Sequence, residues 1–261
     1  MALDPGVGAG ILASVGTGLA TGIGALPVLG LRRLSDKQQM ALLAFAGGVM
    51  LAASIFSLIL PALAAAVALG HARSEAWAMV VIAVGVGAGL LSLANRYLPV
   101  PEGTGPDGRT GAELRSVWLL VVAITVHNIP EGAAVGMSFV DGSTISGTST
   151  AVGIGVQNLP EGLAVACALL AAGYSRGKAF FGGVASGLVE PMAGAASAVL
   201  VSLARPLLPW GLALAAGAML QIVFVQVLPD ILRFRPSVRL PYAAFSVGTV
   251  LMLCLDVGLG A

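Results

Sequence analysis

The chain has 261 residues, a hydrophobic fraction of 57% and a charged fraction of only 10%. A soluble domain carries about 25% charged residues, so this composition excludes an ordinary soluble protein and indicates an integral membrane protein. The net charge of +1 and the lack of a basic tract give no reason to expect nucleic acid as a partner.

Eight stretches of the chain meet the length of about 20 apolar residues that a membrane-spanning helix needs. We number them spans 1 to 8, and they cover approximately residues 7–31, 40–69, 77–98, 114–140, 146–173, 179–203, 207–232 and 241–259. The sequence therefore predicts an all-α polytopic membrane protein. The longest connection, about residues 99–113, is rich in Pro and Gly and reads as a flexible loop. Because no polar stretch is long enough to bury a core, residues 1–261 are predicted to form one transmembrane domain.

The basic residues predict how these spans are oriented. All but two of the 13 Lys and Arg residues fall in one set of alternate loops, and the other set holds only Arg73 and Arg205. The positive-inside rule makes the first set cytoplasmic. Both termini are then expected on the extracytoplasmic side.

A six-residue motif occurs twice, thirty positions apart, beginning at His127 in span 4 and at Gln157 in span 5. The copies read His-Asn-Ile-Pro-Glu-Gly and Gln-Asn-Leu-Pro-Glu-Gly. Residues four apart share a helix face, so His127 lies beside Glu131 and Gln157 lies beside Glu161. Turned toward each other, the two faces present an imidazole, an amide oxygen and two carboxylates to one point. Acids are costly at this membrane depth, which indicates a functional cation site.

Prolines and a third acid extend this pattern. Pro130 and Pro160 each lack a backbone N–H, so we expect both helices to bend and to free a carbonyl group. Glu190 lies near the middle of span 6 and precedes Pro191. No Lys or Arg lies at this depth, so a divalent cation or protons must balance the acids. A lone His or Pro in a span is usually a hydrogen-bond partner or a kink, and the repetition is what favours a cation site.

Cys167 and Cys254 lie in apolar runs without the spacing of a metal site. We expect both to be small buried side chains.

At these residues the chain resembles the ZIP (Zrt/Irt-like protein) family of divalent metal transporters, and within it the bacterial GufA-type branch. The resemblance covers nearly the whole chain. Besides the two motif copies, it rests on residues 47–54 (GGVMLAAS), 186–191 (SGLVEP) and 216–219 (AGAM). It implies eight helices in a 3+2+3 arrangement, with the metal between spans 4 and 5.

The resemblance also implies which residues bind metal. The positions that match the primary site are Met50, His127, Glu131, Gln157 and Glu161. The positions that match an adjacent second site are Asn128, Asn158 and Glu190. Some relatives have Asp where this chain has Asn158, and two dications beside three carboxylates would leave a net positive charge in a low dielectric, so we expect one bound ion. Val225 and Gln226 stand where relatives often carry acidic or His residues, which removes expected ligands from a release route.

The function that the resemblance implies is uptake of a divalent transition metal into the cytoplasm. Zn²⁺ is the first expectation, and Cd²⁺, Fe²⁺ or Mn²⁺ are alternatives because mixed nitrogen and oxygen ligands do not exclude them. The expected partners are the ion, the lipid bilayer and a second copy of the chain in a homodimer, within a bacterial inner (plasma) membrane. We expect no cofactor other than the transported ion and no enzymatic activity. Two alternatives stay open: an intramembrane metallohydrolase, although the chain lacks an HExxH pairing, and a metal receptor that does not transport.

Overall fold

The computed structural model describes residues 4–30, 34–97, 112–140, 144–234 and 239–260. Within these ranges, eight helices are long and apolar enough to cross a membrane. They run over Gly6–Leu29, Asp36–Ala68, Arg73–Tyr97, Val117–Ser138, Ser146–Ala171, Arg176–Leu203, Arg205–Arg233 and Leu240–Gly258. Each corresponds to one of the predicted spans 1 to 8, which confirms the eight-span all-α architecture. The loop predicted at about residues 99–113 lies outside the described residues, except for its last two positions.

Four of the spans are single α-helices and four are composite. Spans 3, 4, 5 and 8 are the helices Arg73–Tyr97, Ala112–Ser138, Thr144–Ala171 and Leu240–Gly260. Span 1 joins the helix Gly6–Ala25 to the 3₁₀ turn Leu26–Leu29, and span 6 joins Arg176–Gly187 to Val189–Leu203. Span 2 consists of Asp36–Ala52, the π-helix Ala53–Ile59 and Leu60–Ala68. Span 7 consists of the 3₁₀ turn Arg205–Leu207, the helix Leu208–Ile222, the π-helix Val223–Val227 and the helix Leu228–Arg233.

The π-helical segments of spans 2 and 7 each end just before a proline. Pro61 and Pro229 have no N–H for the carbonyl four residues earlier, so the regular α-helical ladder cannot continue through them. The Leu60 N–H instead bonds the carbonyl of Ile55, five residues back. Each irregular segment is therefore followed by a proline, although the sequence analysis did not single out these two prolines.

The motif prolines behave differently from those of spans 2 and 7. Spans 4 and 5 each continue as one α-helix through Pro130 and Pro160. The bend expected at each of them stays a prediction. Span 6 is interrupted at Leu188, and its second helix carries Pro191 in the first turn, where a proline is tolerated.

The spans pack in two groups that meet at the helices carrying the motif. In the first group, spans 1, 4, 5 and 6 contact one another. In the second, spans 2 and 7 pack together, with span 8 against span 2 and span 3 against span 7. The groups meet where span 4 contacts span 7 and where span 5 contacts spans 2 and 8. Both motif copies therefore lie on helices that reach the boundary, while the 3+2+3 arrangement stays a prediction.

Span 5 is the most enclosed helix and span 8 the least. In the central part of span 5, 67% of the residues are buried, against 17% in span 8. Cys254 of span 8 is accordingly exposed, so the expectation that it is buried was wrong. Cys167 of span 5 is buried as expected, and both thiols are free.

The glycine that ends each motif copy lets a neighbouring backbone approach closely. A Cβ atom on Gly162 would overlap the carbonyl oxygen of Thr21 in span 1, and one on Gly132 would overlap the backbone of Glu190 in span 6. Small residues permit such contacts where lipid provides no hydrophobic drive for packing. The two glycines thus determine where spans 1 and 6 lie against the motif.

We expect Gly162→Ala to lower the free energy of unfolding by about 1–3 kcal/mol, the usual cost of overpacking a close contact. The added methyl group meets a backbone carbonyl that cannot move without shifting span 1. Gly16→Ala is the control, because a Cβ there meets nothing within 4 Å. Denaturant titration in mixed micelles measures both variants, and an equal effect of the two would contradict this account of the packing.

The orientation is tested by labelling single cysteines in a background without Cys167 and Cys254. His71→Cys lies in a loop predicted to be extracytoplasmic, and Gly177→Cys lies beside a loop predicted to be cytoplasmic; both positions are exposed. A membrane-impermeant maleimide should label intact cells only at position 71. Labelling of position 177 alone would reverse the predicted topology.

Candidate metal site

The two motif copies meet between spans 4 and 5, deep in the protein. Gln157 and Glu131 are fully buried, and His127 and Glu161 are only 5% and 4% exposed. The side-chain amide nitrogen Nε2 of Gln157 donates to Oε1 of Glu131 at 2.7 Å. Each copy thus contributes one member of a buried amide–carboxylate pair.

The other two predicted motif ligands, His127 and Glu161, line a cavity of about 80 Å³. Met50 of span 2 lines the same cavity, as its resemblance to a site methionine implied. Most of the remaining wall is apolar, and the polar side chains added by span 7 are Gln226 and Asp230. The cavity lies on the boundary between the two groups of helices.

Span 7 contributes a residue that the sequence analysis had treated as a lost ligand position. The amide nitrogen of Gln226 lies 3.4 Å from Nε2 of His127. Asp230 follows four positions later in the same cavity wall, whereas Val225 is 61% exposed on the outer surface. The four-residue spacing of Gln226 and Asp230, which repeats that of the motif pairs, was the available sequence signal.

Two of the three residues matched to a second site, Asn158 and Glu190, form a hydrogen-bonded cluster with span 1. The amide nitrogen of Asn158 lies 2.9 Å from each oxygen of Glu190, and the hydroxyl of Thr21 donates to Oε1 of Glu190 at 3.1 Å. Asn128 turns away from these groups and donates to the carbonyl of Ser186 at 2.8 Å. The sequence analysis did not predict the roles of Thr21 and Ser186, because local sequence patterns do not show which segments contact each other across the fold.

Unpaired oxygen atoms are concentrated at this site. Among the described residues, seven buried side-chain N or O atoms lack a hydrogen-bond partner, and all seven are oxygens. Five of them belong to the predicted ligand set: Oδ1 of Asn128, Oε2 of Glu131, Oε1 of Gln157, Oδ1 of Asn158 and Oε2 of Glu161. A buried polar atom left without a partner costs about 1–3 kcal/mol. A cation is the partner that such a set of acceptors can share.

The acids alone do not form a complete metal site. In the part of the chain that the structure describes, no group of three or more His, Cys, Asp or Glu side chains is close enough to hold an ion. Two of the three buried glutamates, Glu131 and Glu190, accept bonds from amide groups. His127, Glu131 and Glu161 are therefore not close enough together in this conformation to hold one ion between them.

Comparison with known proteins identifies the family of this chain. The model of the family described as "ZIP Zinc transporter" matches residues 107–256. The chain is 40% identical over 255 residues to "Zinc transporter GufA" of Myxococcus xanthus, covering 97% of this chain and all of that protein. The chain belongs to the ZIP family. This ZIP chain is also 40% identical to "Zinc transporter ZIPB" of Bordetella bronchiseptica, over 97% of its own length and 82% of that protein. It is 43% identical to human "Zinc transporter ZIP11" over 62% of its own length and 49% of that protein.

Replacing Gln157 of this ZIP chain with Met should lower the free energy of unfolding of the metal-free protein by about 1–3 kcal/mol, because Oε1 of Glu131 loses its buried donor. Gln221→Met is the matched control, since Gln221 is also largely buried but its Oε1 has no partner. Unfolding in chelator measures both. A smaller loss in Gln157→Met than in Gln221→Met would contradict the assigned hydrogen bond.

Proposed function

We propose that this chain carries a divalent transition metal, Zn²⁺ in the first place, into the cytoplasm. The proposed ligands are Met50, His127, Glu131, Gln157 and Glu161. Imidazole nitrogen and carboxylate oxygen are both common zinc ligands. The zinc transporter names of the relatives support this choice of ion, and Cd²⁺, Fe²⁺ and Mn²⁺ stay as competitors because such ligands bind them as well.

The observation that carries the proposal is the group of unpaired buried oxygens on the two motif copies, one of which, Glu161, lines a cavity without a basic side chain. Oε2 of Glu131 and Oε2 of Glu161 have no donor, and neither does the amide oxygen of Gln157. The residues lining the cavity include no Lys or Arg. A dication between the two carboxylates balances their charge and gives the oxygens a partner, which makes the buried acids tolerable in hydrocarbon.

The position of the cavity supports movement toward the cytoplasm. It extends from buried His127 to exposed Asp230, one turn before Arg233 at the predicted cytoplasmic end of span 7. Met40, near the predicted cytoplasmic start of span 2, lines the same space. An ion held by His127 and Glu161 in this conformation would leave past Asp230, which describes an inward-facing state.

The two alternative functions make different demands on the site. A metallohydrolase needs a general base beside a metal-bound water, and both motif acids, Glu131 and Glu161, are among the proposed ligands. A receptor would bind the ion without moving it across the bilayer. The transporter names of the relatives favour transport over both.

A bacterial inner membrane suits this proposal because proteins there cross the bilayer as helices, and the excess of basic residues in alternate loops provides the orientation. The homodimer expected from the resemblance stays a prediction.

Glu161→Ala should abolish zinc uptake into proteoliposomes, since it removes one of the two carboxylates that balance the ion. Glu75→Ala is the control: Glu75 is an exposed acid in the first turn of span 3, far along the chain from the motif. Zinc-sensitive fluorescence inside the vesicles reports the rate, and added Cd²⁺, Fe²⁺ or Mn²⁺ reports competition. Full uptake by Glu161→Ala would remove the basis of the proposed site, and saturable binding without uptake by the unaltered chain would favour a receptor.

A further inference from the structure

Glu190 differs from the other two buried glutamates in how its oxygens are bonded. Oε2 of Glu131 and Oε2 of Glu161 are unpaired, whereas both oxygens of Glu190 have a donor. The Asn158 amide nitrogen supplies a bond of 2.9 Å to each oxygen, and the Thr21 hydroxyl adds a third bond. Hydrogen-bond donors of the protein therefore surround this carboxylate, and neither of its oxygens is left without a partner.

The orientation of the Asn158 amide follows from its surroundings. Its nitrogen faces three acceptors, namely the two Glu190 oxygens and the carbonyl of Thr17 at 3.0 Å. The reversed amide would direct its oxygen against these acceptors and lose all three bonds. The amide nitrogen thus occupies the position beside Glu190 that a second cation would need.

The same amide connects three helices at the motif. Asn158 belongs to span 5, Thr17 and Thr21 belong to span 1, and Glu190 belongs to span 6. Asn158, Thr21 and Glu190 are completely buried. The cluster is a fixed packing element next to the cavity, and none of these four residues lines that cavity.

The donors around Glu190 decide between one ion, which leaves a net charge of about −1 on the three carboxylates and the ion, and two ions, which leave about +1. One dication is neutralised by Glu131 and Glu161 together. A second dication beside Glu190 would leave a net charge of about +1, which is costly in a medium of low dielectric constant. A neutral amide donor avoids that cost.

We propose that Glu190 is a positioning residue and not a metal ligand, and that the Asn158 amide takes the place of a second ion, so that the chain carries one metal ion at a time. This inference rests on the proposed function, because it concerns the ion that Glu131 and Glu161 bind. Glu190 acts by holding Asn158 and span 1 against the motif.

The test is the number of zinc ions bound per purified chain after equilibrium dialysis against ZnCl₂, with Glu161→Ala as the blank for adventitious zinc. The unaltered chain should bind about one ion, and Glu190→Gln should still bind about one at saturation, since a carboxylate that only positions its neighbours is not needed to hold the ion. Asn158→Asp should bind about two, because it removes the amide donor and places beside Glu190 a second carboxylate, and a dication can bridge the two.

A second measurement is independent of how well each variant survives purification. Zinc should raise the thermal unfolding midpoint of Asn158→Asp more than that of the unaltered chain, because an extra ion binds only the folded state. Two ions in the unaltered chain, or none in Glu190→Gln, would overturn the inference. One ion in Asn158→Asp would show that the amide does not exclude a second ion, and would overturn it as well. Failure of the proposed function gives a different result, namely no zinc on the unaltered chain above the Glu161→Ala blank.

Discussion

The burial of acids without a basic partner is the constraint on which the rest of this structure depends. Glu131, Glu161 and Glu190 lie at most 4% exposed inside a bundle of apolar helices. An ionised carboxylate at this depth costs several kcal/mol unless something balances it. The chain meets this cost in two ways. Glu190 is surrounded by the protein's own donors, whereas Glu131 and Glu161 each leave one oxygen unpaired beside the site.

The packing of the helices follows from this requirement. Donors for Glu190 come from spans 1 and 5, so span 1 must lie directly against the motif. Gly162 permits that approach, because a Cβ atom there would overlap the backbone of Thr21 in span 1, and Gly132 likewise permits the approach of span 6 at Glu190. The motif therefore supplies both the charged and polar side chains of the site and the small residues that allow close helix packing. Its glutamates carry two of the buried charges, and its glycines allow spans 1 and 6, which carry Thr21 and Glu190, to pack against it.

The cavity beside the motif lies at the boundary between the two groups of helices. Spans 4 and 5 supply His127 and Glu161, and spans 2 and 7 supply Met50 and Gln226 across the boundary. Both of the latter spans contain π-helical segments just before a proline, at Ala53–Ile59 and Val223–Val227. Such segments are frequent at functional sites. The π-helix of span 7 contributes Gln226 and Val227 to the cavity wall, whereas the residues of span 2 that line it belong to the regular helix Asp36–Ala52.

Local patterns in the sequence determined the eight spans, because length and apolarity are enough to specify a helix in lipid. They also determined the pairing of His127 with Glu131 and of Gln157 with Glu161, since residues four apart in a helix share a face. Only the tertiary structure decided how these pairs are used: Gln157 bonds Glu131, Asn158 bonds Glu190, and Gln226 reaches His127. The family resemblance assigned Asn158 and Glu190 to an adjacent second site and treated Gln226 as a position without its expected ligand. Which donor meets which acceptor depends on how separate helices rotate and pack against each other, and no periodicity within one helix records that.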